Sequence, residues 1–159
     1  MKGIWTQLGA LAAALGISTI AAAQCANAVT PSCAVYDSCF AKYCPCQGDP
    51  AEYFITYGKK YCTNFLAHAE FSDAGRKWHD RTLVCLQEKV VPHLDISSTP
   101  SCNCSAMRAM AFTAHVACYT EQGSSMCDLS TSDLNEVRKS LYAVMVYVDS
   151  GPPQDNSVI

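Results

Sequence analysis

The residues of this chain whose type and number promise chemistry are its eleven cysteines: Cys25, Cys33, Cys39, Cys44, Cys46, Cys62, Cys85, Cys102, Cys104, Cys118 and Cys127. In an oxidising compartment such density means disulfides; in a reducing one the same sulfurs would suggest metal. Eleven is odd, so the sulfurs cannot all pair within one chain. One is left unpaired or intermolecular, and the covalent homodimer is the favoured outcome, because exported proteins seldom keep an exposed thiol. Cys44-Pro45-Cys46 is too tight to close easily on itself, so each of its sulfurs is expected to reach a different partner. Asn103-Cys104-Ser105 is a glycosylation sequon with a cysteine in its middle, which makes Asn103 a possible site of modification. His79-Asp80 is the best candidate for acid–base work, since a carboxylate beside an imidazole can orient it towards water.

The other titratable groups form no site by spacing. His68, His93 and His115 lie on three different segments, whereas a zinc centre needs convergent ligands. The acids Asp37, Asp49, Glu52, Asp73 and Asp80 match no EF-hand loop, so direct calcium binding is not indicated. Lys59-Lys60 and Arg76-Lys77 are short basic pairs of the kind that lie solvated on helix faces. No cofactor is implied.

These residues must be positioned by helices. Apolar residues recur at helical spacing from Ala51 to about Phe71 (Phe54, Tyr57, Tyr61, Cys62, Phe65, Ala69). A second helix is predicted from about Asp73 to Val91, capped by Ser72 or Asp73 and stopped by Pro92. Trp78, Thr82, Cys85, Leu86 and Val90 line it, and His79 and Asp80 fall on its polar side. Packed as a hairpin about Phe71 to Ala74, the two helices bring Cys62 and Cys85 to similar heights, which predicts a Cys62–Cys85 bridge contributing about 3 kcal/mol.

After the loop from Pro92 to Pro100, a third helix is expected over Ser105 to Tyr119, with Met107, Met110, Ala111, Ala114 and Cys118 on one stripe. Cys104 and Cys118 would stand about 21 Å apart along it, so it must be pinned at both ends to other elements. Gly123-Ser124-Ser125 breaks it. Ser130 to Asp133 reads as a capping box opening a fourth helix, whose buried face is Leu134, Val137, Leu141, Met145 and Val148. A short helix around Val35 to Tyr43 is expected upstream. The fold class is therefore all-α, a disulfide-rich helical domain of about four main helices.

Residues 1–23 read as a signal peptide: Lys2 is the only charge before Asp37, Leu8 to Ile20 is apolar, and Ala21-Ala22-Ala23 suits cleavage. The apolar run is short for a membrane span, so no span is expected after cleavage. The expected organisation is then a cysteine-rich segment over 24–50, a stapled helical domain over 51–150 and a flexible tail over 151–159. Without Lys2 the formal charge moves from -3 to -4, with 10 bases facing 14 acids. That balance offers no electrostatic footprint for nucleic acid.

The central block resembles the stanniocalcin family. Cys62-Thr63-Asn64-Phe65-Leu66, Phe71-Ser72-Asp73-Ala74-Gly75-Arg76 and Leu83-Val84-Cys85 are similar to that family's C-x-x-F-L, F-D-x-x-G-K and L-x-C run. Cys104, then Cys118-Tyr119, then Cys127 resemble its later cysteine pattern, and Cys25, Cys33 and Cys39 its opening one. The resemblance implies a secreted, extracellular, hormone-like regulator of calcium and phosphate homeostasis, acting on a protein receptor or other binding partner without catalytic residues. The chain departs from the family in two ways. Cys44/Cys46 and Cys102/Cys104 each supply one cysteine more than the pattern needs, and none follows Cys127, where the vertebrate hormones place the cysteine that links their homodimer.

Two alternatives come from other classes. His79-Asp80 is similar to the pair that activates water in secreted phospholipase A2, and Tyr43 to Gly48 faintly resembles that enzyme's calcium loop. Lys77-Trp78 stands where its paired cysteines belong, and its glycine-rich loop is absent. The aromatic and methionine stripes (Phe54, Tyr57, Phe65, Trp78, Met107, Met110, Met145) read most simply as core, with a small helical carrier of an apolar ligand as the other alternative.

Overall fold

The computed structural model describes residues 25, 31–67 and 70–149, leaving aside the side chains of 142–149. The signal peptide expected over 1–23, the tail over 151–159, and His68 and Ala69 lie outside these residues. Five helices follow one another. We number them α1 (a π-turn over Tyr36–Phe40 continued by Ala41–Tyr43), α2 (a π-turn over Phe54–Lys59 continued by Lys60–Ala67), α3 (Asp73–Val90), α4 (Cys104–Tyr119) and α5 (Thr131–Asp149). A small antiparallel ribbon, β1 (Thr120–Glu121) with β2 (Ser124–Ser125), turns the chain between α4 and α5. The fold is thus the disulfide-rich, helical one expected, with α2 to α5 as its main helices.

Local chemistry sets the boundaries. The Ser72 side chain caps α3 by accepting from the Gly75 amide, and Pro92 turns the helix end into a 3-10 turn over Val91–His93. Asn103 caps α4 by accepting from the Ala106 amide at 2.9 Å. The first helix of the expected hairpin, described to Ala67, has ended by Glu70, and it begins as a wide turn in which the Gly58 amide donates to the Tyr53 carbonyl. Glycine is needed at position 58, because a Cβ there would run into the Tyr36 ring of α1.

The core is aromatic. Phe40, Phe54 and Trp78 are fully buried, and Phe65 meets Trp78 and Phe71 edge-on at 5.9 and 6.1 Å. Such rings bury 150–250 Å² each and add about 1 kcal/mol per well-oriented pair. The Trp78 indole N–H donates to the Tyr119 carbonyl at 3.2 Å, tying α3 to the end of α4.

Two expectations are corrected by the packing. Helix α3 packs chiefly on α4, and α2 on α5, so α2 and α3 are not the tight hairpin that the sequence suggested. In consequence Cys62–Cys85 does not form. Cys62 is bonded to Cys33 of the N-terminal segment, and Cys85 to Cys118 of α4. Helix α5 is also rotated from its expected face. Leu134 is 37 % exposed, while Asp133, Glu136, Val137 and Ser140 are turned inward. Leu141 is half-buried, and the side chains of Met145 and Val148 lie outside the described residues.

The reason for the rotation is a carboxylate. Asp133 accepts from the Ser72 amide (2.8 Å), the Ser72 hydroxyl (2.7 Å) and the Ser130 hydroxyl (2.8 Å), and the Ser130 oxygen accepts from the Asp133 amide. The capping-box pair Ser130 and Asp133 thus meet as expected, and the acid also reaches across to the start of α3. Gly75 leaves the space for it, since a Cβ there would overlap the Asp133 carboxylate. These hydrogen bonds hold the Asp133 carboxyl below its ordinary pKa. Asp133 is 1 % exposed because its partners cover it closely; it lies at a shallow depth.

Candidate functional site

Ten sulfurs close into five bridges: Cys25–Cys39, Cys33–Cys62, Cys44–Cys102, Cys46–Cys104 and Cys85–Cys118. Their Cα separations, 4.9 to 5.9 Å, sit within the range a disulfide requires. As expected, Cys44 and Cys46 reach different partners, and α4 is pinned at both ends, at Cys104 and Cys118. The pairing expected for Cys62 failed because helix spacing fixes height along an axis and says nothing about which neighbour lies beside it.

The eleventh sulfur is Cys127, exposed on the 3-10 turn Met126–Asp128, where its amide donates to the Ser125 hydroxyl at 3.2 Å. Sequence reasoning required one odd cysteine without identifying it. The structure places it on a surface turn, the one cysteine among the described residues outside a bridge.

Two of the bridges are parallel. Cys44-Pro45-Cys46 is joined to Cys102-Asn103-Cys104 rung by rung, with a sequence separation of 58 between the partners in each case. On the chain-entropy model the first such bridge stabilises by about 4 kcal/mol. The second closes only the few residues between the rungs and contributes roughly half as much. The Sγ atoms of Cys44 and Cys46 stand 3.4 Å apart.

The His79-Asp80 pair is not displayed as catalysis needs. His79 is 5 % exposed, packed between Phe65 and Phe71, which corrects its expected place on the polar side. Its Nδ1 faces the Asp80 carboxylate at 2.7 Å and its Nε2 faces the Phe65 carbonyl at 3.1 Å. Both ring nitrogens meet acceptors, so neither points a lone pair at a water as a general base must. The ring bridges α2 and α3 as a structural strut.

The remaining histidines do not converge. His93 is exposed after α3. His115 on α4 donates from Nδ1 to the Ala111 carbonyl at 2.8 Å, and its burial pushes its pKa down. His115 instead joins a group that sequence reasoning had passed over as plain core. Tyr36, Tyr53, Tyr57, Tyr61 and Tyr119 line a cleft that all five helices border, with Leu83 and Leu86 of α3 and Val137 and Leu141 of α5 on its other walls. A stacked pair at 5.3 Å (Tyr53–Tyr57) and a tilted one at 4.2 Å (Tyr57–Tyr61) follow from i,i+4 spacing, a signal that was legible. Burial raises the pKa of all five phenols, that of Tyr57 to about 12. The cavity in this cleft is ≈ 40 Å³, room for water.

Asn103 is exposed, with its side-chain oxygen committed to the α4 cap and the neighbouring Cys104 committed to its bridge. Among the described residues no helix is long and apolar enough to cross a membrane. No family model, curated protein or solved structure matches the chain. What fold and site define is a disulfide-stapled helical domain carrying one surface thiol.

Proposed function

We propose that this is a secreted, hormone-like regulatory protein of the stanniocalcin kind, acting in calcium and phosphate homeostasis by binding a partner, as a homodimer joined through Cys127. The observation that carries the reading is the disposition of the sulfurs: ten are spent inside the domain and the eleventh is displayed on a turn. Such a frame suits a rigid surface made for recognition in an oxidising compartment. The positions that carry the resemblance also have concrete work in the fold. Phe65 and Tyr119 pack on Trp78, and Gly75 makes room for the carboxylate that joins two helices. The outer side of α4, where Val116 is 71 % exposed beside Phe112, offers apolar surface to a partner.

The test is addition of the purified protein to a cultured transporting epithelium, with radiolabelled calcium and phosphate uptake as the readout. Saturable surface binding with altered uptake of either ion is expected. Cells that neither bind the protein nor change uptake at micromolar concentration would refute the reading. The buried His79, with both ring nitrogens on acceptors, gives the enzyme reading less support than the sulfur frame gives this one.

A further inference from the structure

Asn103 is the one asparagine of this sequence that has Ser or Thr two residues on, at Ser105. The helix cap identifies its two side-chain atoms. The Ala106 amide donates to Oδ1 at 2.9 Å, so the other atom is the amide nitrogen Nδ2, which has no acceptor among the described residues. Asn103 is exposed, and its backbone is extended, at φ -88° and ψ 99°. Ser105 is exposed too, and its hydroxyl makes no hydrogen bond among the described residues. Asn103 also stands on the wall of a surface cavity of ≈ 180 Å³, with His93, Ser101, Ala106, Met107 and Met110. A cavity of about 150 Å³ admits a six-membered ring, so this one has room for a pyranose. Half-buried Met110 offers methylenes and a thioether to the apolar C–H face of a sugar. Exposed His93 and Ser101 offer an imidazole and a hydroxyl to its polar edge.

We propose that Asn103 carries an N-linked glycan whose first N-acetylglucosamine ring sits in this cavity, against Met110 and beside His93 and Ser101. The donor is an oligosaccharide carried on a polyprenyl diphosphate. Its bond from C1 to the phosphate oxygen breaks, Nδ2 forms the new bond to C1, and the proton that Nδ2 loses leaves with the polyprenyl diphosphate. Nothing is oxidised or reduced. Nδ2 keeps one hydrogen and Oδ1 keeps its lone pairs, so the cap on Ala106 survives the modification. The Cys46–Cys104 bridge survives as well, because Cys104 supplies only the middle position of the tripeptide. The site shares with the function proposed above only the export of the chain.

The test expresses the full chain in cultured insect cells and weighs the protein recovered from the medium. Its mass should exceed that of the polypeptide by one N-glycan, which peptide N-glycosidase removes while converting Asn103 to aspartate. Ser105→Ala should be secreted without the glycan and with unchanged circular dichroism, since the Asn103 cap stays in place. Asn103→Asp, which keeps an acceptor at the cap, should match it. Trimming the parent glycan to a single N-acetylglucosamine then tests the seat. Peroxide should oxidise Met110 about threefold more slowly in the trimmed protein than in Ser105→Ala, with Met126 on its 3-10 turn oxidised equally in both as the internal standard. A secreted chain unmodified at Asn103 would overturn the site and leave the secreted, partner-binding reading standing. A chain kept inside the cells would overturn both. Equal oxidation of Met110 with and without the sugar would overturn its seat in the cavity.

Discussion

Asp133 shows how much one side chain decides here. Its carboxylate serves the first turns of both α3 and α5 through Ser72 and Ser130. Asp133→Ala should lower unfolding stability by about 2 kcal/mol, since it leaves the Ser72 amide and hydroxyl without their acceptor; urea titration at pH 7 measures this. The pH dependence has a definite sign. A carboxyl held below its ordinary pKa stabilises fully above the ordinary carboxylate range, and that contribution disappears as pH falls through the depressed folded value. The difference between parent and Asp133→Ala should therefore shrink below about pH 4. The tyrosines behave in the opposite direction. Buried phenols with raised pKa stabilise up to about pH 10 and lose that contribution towards the folded value, about 12 for Tyr57. Absorbance at 295 nm should show Tyr36, Tyr53, Tyr57, Tyr61 and Tyr119 ionising later in the folded protein than in guanidinium; coincident curves would count against the burial described here.

At the scale of elements, α3 and α4 are the spine. They share the Cys85–Cys118 bridge and the Trp78 hydrogen bond to Tyr119, and Arg81 of α3 also grips Glu121 of β1 just beyond α4. Replacing Cys85 and Cys118 together by Ala should cost about 3–4 kcal/mol, the entropy of a 33-residue closure, read as a fall in denaturation midpoint. Ser72 and Pro92 fixed α3 in the sequence almost to the residue, and the stripe of α4 was equally readable, because caps and periodicity are local. What was not readable depended on neighbours. The inward face of α5 turns on a carboxylate whose acceptor role is seen only beside Ser72. The partner of Cys62 depends on α2 lying against α5 in place of α3. His79 looked polar by its position and is buried because Phe65 and Phe71 close over it.

For the whole molecule, the proposed covalent dimer rests on the odd sulfur. Secreted protein should run as a dimer on a non-reducing gel and as a monomer after reduction, and Cys127→Ser should abolish the dimer while leaving circular dichroism and melting unchanged. A monomer in both lanes for the parent chain would remove the covalent dimer. That an odd cysteine exists was countable from sequence, whereas its identity needed the other ten to be paired in three dimensions.

The five bridges also overlap end to end. Each residue between Cys25 and Cys118 lies inside at least one covalent loop, whereas α5 lies inside none. A protease that nicks the chain once in the first stretch leaves a single piece until a reductant is added. A nick on the hairpin at Gly123 leaves α5 attached by its packing, the Asn64 hydrogen bond to the Ser140 carbonyl and the Asp133 latch, so acid below about pH 4 should elute it as a fragment.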